Sequence, residues 1–600
     1  MFLLAVLSFL QMTVIPGFLV LSYSRITLES KLQSLLYTFA LSLLINYLLV
    51  FSLTAAGIYK PIIIYVILSI EILLLLYYFS KHNQMVLNLK DYLTRFIKFW
   101  ETKPFFYKLL FVLSIVMMGL FFYFFISRIK AVFYLNDPVL AWNRFTLDWY
   151  HNHFPVHTWR YPQLIPTNWS IAYIIMQNPD IQFIPRNIMA FFPIGATALF
   201  LDLALRTKKS TYLLALLFYG TIIVYLYRPA FIVGGYADIA VSFFAFLSFY
   251  ALYSAKEDVF DLKRCLFSVV FASAAAVTKQ IGFYILFYIL AWNLWIIYKN
   301  KTMPGKKIIK VLLSMVLFTI IIVGPWYVYK EIQIAGGMEK SELSMLTQRQ
   351  HGNRTTFGER FIYGFERIVN ARGIPGVEFF IYGGLILLLL SLAHKQIRYI
   401  TLFIVFPFTS MWVFLFSYDY RNLTLAFPFI ALAMAYGFHL PAKKFIPRLG
   451  KKPAKPIMTE TTPINHRLPR FRISILPLAV VITALSVLLN FTIFKKELII
   501  KNQLTQLKNI GDIRLNKKLY RYYDENGFPG KVFSRYPYFK YLPVLRDYWA
   551  PERQESSVHY FLDTFNRPDK ESVRQVKKKL KTGEYILLFK HNEYLFIKIK

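Results

Sequence analysis

Long apolar runs decide the fold of this chain, and residues 34–79 show the pattern: SLLYTFALSLLINYLLVFSLTAAGIYKPIIIYVILSIEILLLLYYF. A short turn around Gly57 and Lys60 separates the two runs. Each run matches the roughly 20 residues that a helix needs to cross a hydrocarbon core of about 30 Å. Hydropathy and charge along the whole chain predict about fourteen such spans and therefore an all-α polytopic membrane domain. The predicted spans are 1–22, 34–58, 60–79, 105–127, 184–205, 211–228, 236–254, 264–279, 281–299, 309–329, 375–394, 399–417, 421–440 and 473–494.

Composition agrees with a membrane protein and argues against a soluble domain. Of 600 residues, 56% are hydrophobic and only 17% are charged, and the apolar content extends over most of the length. The net charge of +37 would also suit a nucleic-acid-binding protein. The Lys and Arg residues, however, lie in short loops between apolar runs, as the positive-inside rule requires. The sequence therefore indicates membrane lipids rather than nucleic acid as the surroundings of this chain.

The basic loops predict how the chain is oriented. Strict alternation of the spans places five of them on one side, around Lys90, Arg206, Lys299 and Lys395 and in residues 441–472. This side is expected to be cytoplasmic, with 441–472 meeting anionic headgroups. The amino terminus, the loops 128–183 and 330–374 and everything after about residue 495 would then lie outside the cytoplasmic (inner) membrane. The first apolar run lacks a basic n-region and a cleavage site, so we expect a retained helix rather than a signal peptide.

The composition changes after the last predicted span, and we expect a small extracytoplasmic α/β domain there. Helices are predicted near 499–525 and 569–582, and a closing strand pair at Tyr585–Phe589 and Tyr594–Ile599 flanks the turn His591-Asn592-Glu593. The single cysteine, Cys265, excludes an internal disulfide framework. The predicted parts of the chain are N-terminal transmembrane helices at 1–127, the main transmembrane domain at 128–494 and the outer domain at 495–600.

Four short motifs place charged residues where predicted helices reach the outer face. They are Asn136-Asp137-Pro138 with Arg160-Tyr161-Pro162-Gln163-Leu164, Gly234-Gly235-Tyr236-Ala237-Asp238, Thr278-Lys279-Gln280-Ile281-Gly282 and Asp419-Tyr420-Arg421-Asn422-Leu423. In this order, and with an outer C-terminal domain, they resemble the GT-C class of membrane glycosyltransferases. The resemblance points to bacterial relatives of protein mannosyltransferases and lipid A aminoarabinose transferases. The chain departs from the class in having Asn136-Asp137 for Asp-Glu, Tyr-Pro-Gln-Leu for Tyr-Pro-Pro-Leu, and four predicted spans rather than one before Asp137.

The resemblance implies an inverting glycosyltransferase that moves a sugar from a polyprenyl-phosphate-type donor to a hydroxyl of a lipid, glycan or protein acceptor. The leaving phosphate is already an anion, so it needs cations rather than a strong acid, whereas the acceptor hydroxyl needs a base. By resemblance, Asp137 is the base and Asp238 orients the acceptor or supports Asp137, with a divalent metal left open. Candidates for the donor phosphate are Lys279, Arg421, Arg228 and Arg160. Tyr161, Pro162 and Tyr236 would line the substrate loop.

Simpler roles account for several of these residues as well. Asp238 at a helix start would serve as a cap, and Lys279 and Arg421 would snorkel to lipid headgroups. Asp148 is expected to be a solvated or salt-bridged loop residue. Three nearby histidines are assigned to the interface rather than to a metal site: His151, His153 and His157.

Two other functions stay open on the sequence. A lipid-linked glycan ligase or polymerase acts at the same face but usually centres on Arg and His in a late outer loop. The 330–374 loop offers such residues: Arg349, His351, Arg354 and Arg360. A membrane transporter or flippase would place polar or broken helices near the membrane midplane, whereas the charged motifs of this chain gather at the outer ends of the helices.

Overall fold

In the computed structural model the apolar runs form helices that pack side by side, and a small mixed sheet with its own helices follows them. The structure describes residues 2–24, 28–81, 99–126, 137–155, 161–225, 234–252, 261–299, 304–335, 356–369, 377–417, 419–445, 511–534, 538–542, 545–550, 558–564 and 570–599, together with positions 26, 97, 132, 133, 135, 232 and 536.

The described residues up to Phe445 are mainly helical. The α-helices are Phe2–Thr13, Ile15–Tyr23, Lys31–Ala55, Pro61–Lys81, Phe105–Ile126, Asn143–Tyr150, Leu164–Met176, Phe183–Asn187, Phe191–Thr207, Ser210–Tyr225, Asp238–Leu252, Leu262–Thr278, Gly282–Lys299, Gly305–Ala335, Phe357–Val369, Val377–Ser391, Lys395–Ile400, Phe406–Met411 and Phe427–Phe445. The π-helical turns are Pro138–Trp142, Thr401–Val405 and Trp412–Phe416, and the 3₁₀ turns are Ile188–Ala190 and Tyr420–Ala426.

Eight helices within the described residues are long and apolar enough to cross a membrane, or nine if the bent pair at the amino terminus forms one span. The chain is therefore built as a multi-pass membrane protein, and the described residues do not confirm the count of fourteen spans. Helices occur at every predicted segment up to 421–440, but several are too short to cross alone, including Ser210–Val224, Asp238–Leu252 and Phe379–Ser391. The predicted span 473–494 lies outside the described residues.

One buried helix was not expected from the sequence. Leu164–Met176 lies inside the predicted outer loop 128–183, and all of its residues are buried. Its thirteen residues extend for about 20 Å, which is too short to cross the membrane. Near its end, the hydroxyl of Tyr65 donates to the carbonyl oxygen of Ile175 at 2.8 Å. Its short length hides it from a search for membrane spans, and it packs against the helices Lys31–Ala55 and Asn143–Tyr150.

Central helices position the motifs, whereas peripheral helices face lipid. Asp238–Leu252 packs against Leu262–Thr278 and against the turn Tyr420–Ala426, so three of the four motifs meet at adjoining helix ends. By contrast, Pro61–Lys81 and Gly305–Ala335 bury less than a quarter of their apolar windows within the protein. Their exposed Leu, Ile and Val side chains are suited to contact with lipid tails.

The C-terminal domain is a five-stranded sheet with two helices. Its strands are β1 (Lys531–Ser534), β2 (Trp549–Ala550), β3 (Val558–Thr564), β4 (Tyr585–His591) and β5 (Tyr594–Ile599). Its helices are Ile513–Asn526 and Lys570–Lys581. Between β1 and β2 lie the 3₁₀ turns Phe539–Tyr541 and Leu545–Tyr548. The strand order is β2-β1-β3-β5-β4, with β1 parallel to β2 and β3, and β5 antiparallel to β3 and β4. The predicted closing hairpin is confirmed, with Asn592 at φ 51° in its turn. The predicted helical stretch before residue 511 lies outside the described residues.

Candidate functional site

The first candidate acid, Asp137, lies at the start of the π-helical turn Pro138–Trp142 and pairs with Arg421. Arg421 Nη1 donates to Asp137 Oδ2 at 3.0 Å, and the guanidinium lies over the ring of Tyr236, 4.1 Å from its centroid. The same guanidinium binds Asp419, whose Oδ2 accepts from Nε at 2.6 Å. Asp419 also accepts from the backbone N–H of Arg421 at 2.9 Å and so caps the 3₁₀ turn. Arg421 is therefore held between two carboxylates and one aromatic ring.

The second candidate acid, Asp238, is the first residue of a helix and pairs with Lys279. Lys279 Nζ donates to Asp238 Oδ1 and also to Asn422 Oδ1, the latter at 3.0 Å. The Asp238 side chain is 6% exposed and that of Lys279 is 16% exposed, so most of this pair is shielded from solvent. Since Asn422 follows Arg421 in the chain, the two acid–cation pairs lie beside each other.

Glycines explain how the motifs approach so closely. A Cβ on Gly235, whose φ is +99°, would lie 2.5 Å from the ring of Phe133 and 3.3 Å from Pro138. A Cβ on Gly234 would lie 2.3 Å from Leu135. The two glycines thus let the segment that leads to Asp238 pack directly on the segment that carries Asp137.

The junction around Lys279 depends on a third glycine. A Cβ on Gly282 would lie 2.1 Å from the carbonyl oxygen of Ala275, inside the preceding helix. The backbone N–H of Gly282 donates to the carbonyl oxygen of Lys279 at 2.8 Å. This tight turn ends the helix Leu262–Thr278 at Lys279 and points to the structural reason for glycine in the Thr-Lys-x-x-Gly motif.

Tyr161 lies among the charged residues of both pairs. Burial, with the charges of Asp137 and Asp238 adding to it, raises the pKa of Tyr161 to about 12. Its ring packs on Trp142, with 5.4 Å between centroids, and Pro162 beside it is buried. Gln163 fixes the segment, because Trp149 Nε1 donates to Gln163 Oε1 at 3.0 Å and Gln163 Nε2 donates to the carbonyl oxygen of Tyr161 at 2.6 Å. Gln163 thus has a structural role at the position where this chain departs from Tyr-Pro-Pro-Leu.

The structure brings together six of the residues singled out in the sequence: Asp137, Tyr161, Tyr236, Asp238, Lys279 and Arg421. Arg160, Arg228 and His157 lie outside the described residues. Within the described ranges, no three His, Cys, Asp or Glu side chains are grouped so that they could hold a metal ion. Two contributing residues, Asp419 and Asn422, were missed, although both flank Arg421 in a motif that the sequence displays.

The C-terminal domain packs near the motif that contains Asp137 and Tyr161. Tyr538, Phe539 and Leu542 belong to the same hydrophobic cluster as Trp142 and Leu164 of the membrane domain. Burial and the charge of Asp137 raise the pKa of Tyr538, so this side chain lies near the candidate base. The C-terminal domain therefore covers one side of the candidate site.

A charged cluster accompanies this contact. Burial, opposed by the charges of Arg144 and Lys540, raises the pKa of Asp148 to about 6. Burial and the nearby Arg144 lower the pKa of Lys540 to about 8. Asp148 is thus half-buried at the contact between the two domains rather than solvated.

Lys540→Met is expected to stabilise the protein at pH 7. The lowered pKa means that folding disfavours the charged amine; this penalty is absent above the ordinary pKa of 10.5 and fully present below about pH 8. Removing the charge should therefore gain about 1 kcal/mol at pH 7 and much less at pH 10. Thermal unfolding of the detergent-solubilised protein at both pH values measures the effect, with the exposed Lys590→Met as the control. An equal shift of the midpoint at both pH values would contradict the electrostatic explanation.

The loop 330–374 is described only in part. Arg349, His351 and Arg354 lie outside the described residues, whereas Arg360 belongs to the amphipathic helix Phe357–Val369. Arg360 Nη1 donates to the carbonyl oxygen of Phe414 at 3.4 Å, and Phe357 packs on Phe414 with 4.8 Å between centroids. These contacts attach the helix to the end of a membrane helix.

Comparison of this chain with protein-family models, with curated proteins and with solved structures finds no match.

Proposed function

We propose that this chain is a membrane glycosyltransferase that moves a sugar from a polyprenyl-phosphate-type donor to an acceptor hydroxyl, with inversion. The observation that supports this function best is the pair Asp137–Arg421, joined at 3.0 Å, with the pair Asp238–Lys279 beside it. Carboxylates suited to accept the proton of an acceptor hydroxyl thus lie in one site with cations suited to bind a phosphate, at the ends of membrane helices. This combination suits transfer from a lipid phosphate.

The reaction would be a single displacement. Asp137 accepts the proton of the acceptor hydroxyl while the acceptor oxygen forms a bond to the anomeric carbon. The bond between that carbon and the phosphate oxygen breaks, and its electron pair leaves with the polyprenyl phosphate. Arg421 and Lys279 stabilise the phosphate as its charge grows. Asp238 pairs with Lys279, positions this cation and the acceptor, and takes no part in the covalent step.

A transfer assay tests this function. The purified protein in lipid nanodiscs would be mixed with undecaprenyl-phosphate-linked hexose, pentose or N-acetylhexosamine and an extract of host envelope glycans, lipids and proteins. Transfer is measured as release of undecaprenyl phosphate together with movement of radiolabelled sugar into the extract. At least one donor should be consumed. If every donor stays intact in the presence of correctly folded protein, a transporter becomes the better account of the site.

The outer location of the site is part of the proposal, because the positive-inside rule predicts that the motifs and the C-terminal domain lie on the extracytoplasmic side. In a Cys265→Ser background, Lys577→Cys in the C-terminal domain should react with an impermeant maleimide on intact cells. Lys306→Cys, in a predicted cytoplasmic loop, should react only after the membrane is opened. Both positions are exposed, so accessibility to the reagent depends on the side of the membrane. The reverse labelling pattern would overturn the proposed orientation.

A further inference from the structure

The two carboxylates on Arg421 differ in how they are held. Asp419 accepts from Nε of Arg421 and from its backbone N–H, is two residues away in the chain, and is 21% exposed. Among the described residues, Asp137 accepts one hydrogen bond, from Nη1 of Arg421 at 3.0 Å, and its side chain is 49% exposed. Half-exposed ion pairs are weak, whereas a carboxylate that also caps a turn is anchored. Asp137 is therefore the partner that another anion would displace more readily.

An ion-paired carboxylate is a poor base. Arg421 Nη1 donates to Asp137 Oδ2 and so occupies an oxygen that would otherwise accept the proton of the acceptor hydroxyl. Phosphate competes well for the same donors, because guanidinium groups bind phosphate oxygens in a planar, two-point arrangement. A donor phosphate that reaches Arg421 would meet Asp137 there and would repel it.

We propose that Arg421 couples donor binding to activation of the base. The donor phosphate displaces Asp137 from Arg421, and Asp137 then turns to accept the proton of the acceptor hydroxyl. Asp419 is a positioning residue that keeps the guanidinium in place during this exchange. The inference rests on the proposed function, and it implies that donor binds before acceptor, since Asp137 is occupied until the phosphate arrives.

Two matched variants separate this exchange from a general effect of charge. Asp137→Asn and Asp419→Asn each remove one negative charge beside Arg421. If Asp137 competes with the phosphate, Asp137→Asn should bind undecaprenyl phosphate roughly two- to fivefold more tightly, as expected for loss of a weak competing ion pair. If Asp419 orients the guanidinium, Asp419→Asn should bind undecaprenyl phosphate several-fold more weakly, because one of the two oxygens that accept hydrogen bonds from Arg421 becomes an NH2 group, which cannot accept one.

The experiment is a binding titration of the full chain in detergent with undecaprenyl phosphate, and with neutral undecaprenol as the comparison. Tighter binding by Asp137→Asn and weaker binding by Asp419→Asn support the exchange. Unchanged or weaker binding by Asp137→Asn overturns it, as does equal tightening in both variants, which simple charge removal would produce. Should Asp419→Asn fail to fold, unchanged or weaker binding by Asp137→Asn still overturns the exchange. Failure of the wild-type protein to prefer undecaprenyl phosphate over undecaprenol would instead count against the proposed function.

Discussion

Asp137→Asn is expected to lower the rate of sugar transfer by about a hundredfold or more, the range expected for loss of a positioned general base. The substitution keeps the size of the side chain and removes the proton acceptor. Because Asp137 is half-exposed and accepts from Arg421 at one carboxylate oxygen, the protein should still fold and bind donor. The rate of undecaprenyl phosphate release at saturating donor measures the loss, which should fall on kcat rather than on the donor KM.

The control for this variant follows from the structure. Asp148 is unsuitable, because it is half-buried beside Lys540 of the C-terminal domain. Glu525→Gln is a better control, since Glu525 forms only an exposed ion pair with Arg521 and should be silent. If Asp137→Asn kept the wild-type rate while Asp238→Asn abolished transfer, Asp238 would be the base. If both variants were silent, the glycosyltransferase proposal would fail.

Local sequence was sufficient to predict most helices, but not which of them are buried by other helices. Apolar runs indicate helices because backbone groups in a membrane must be satisfied within one segment. The run 236–254 was predicted as a span, yet the helix Asp238–Leu252 has only fifteen residues and is almost entirely buried in protein. Its burial comes from neighbouring helices, and hydropathy does not distinguish a protein interior from lipid. The helix Leu164–Met176 was not recognised either; its Asn168 Nδ2 donates to the distant carbonyl oxygen of Leu43 at 2.8 Å.

The candidate site shows a similar division. The charged residues of each motif could be recognised in the sequence, but the residues with which they form ion pairs could not. Asp137 and Arg421 are 284 residues apart, and Asp238 and Lys279 are 41 apart. Whether such residues meet depends on how helix ends pack, which a single sequence does not specify. Asp419 could have been recognised, because an acid two residues before Arg421 at a helix start is a typical capping position.

Arg421→Ala and Lys279→Ala are expected to weaken donor binding, each by about 2 to 5 kcal/mol if the phosphate contact is desolvated. Arg421 should show the larger loss, because its substitution also leaves Asp137 and Asp419 facing each other without a cation between them.

Arg421→Lys separates charge from geometry, since Lys keeps the charge but lacks the planar fork that binds two phosphate oxygens. It should therefore fall between wild type and Arg421→Ala. Titration with undecaprenyl phosphate measures all three variants, with Arg521→Ala, at an exposed position of the C-terminal domain, as the control. If donor affinity is unchanged in both alanine variants, these cations serve the protein's own carboxylates alone, and the lipid phosphate must bind elsewhere.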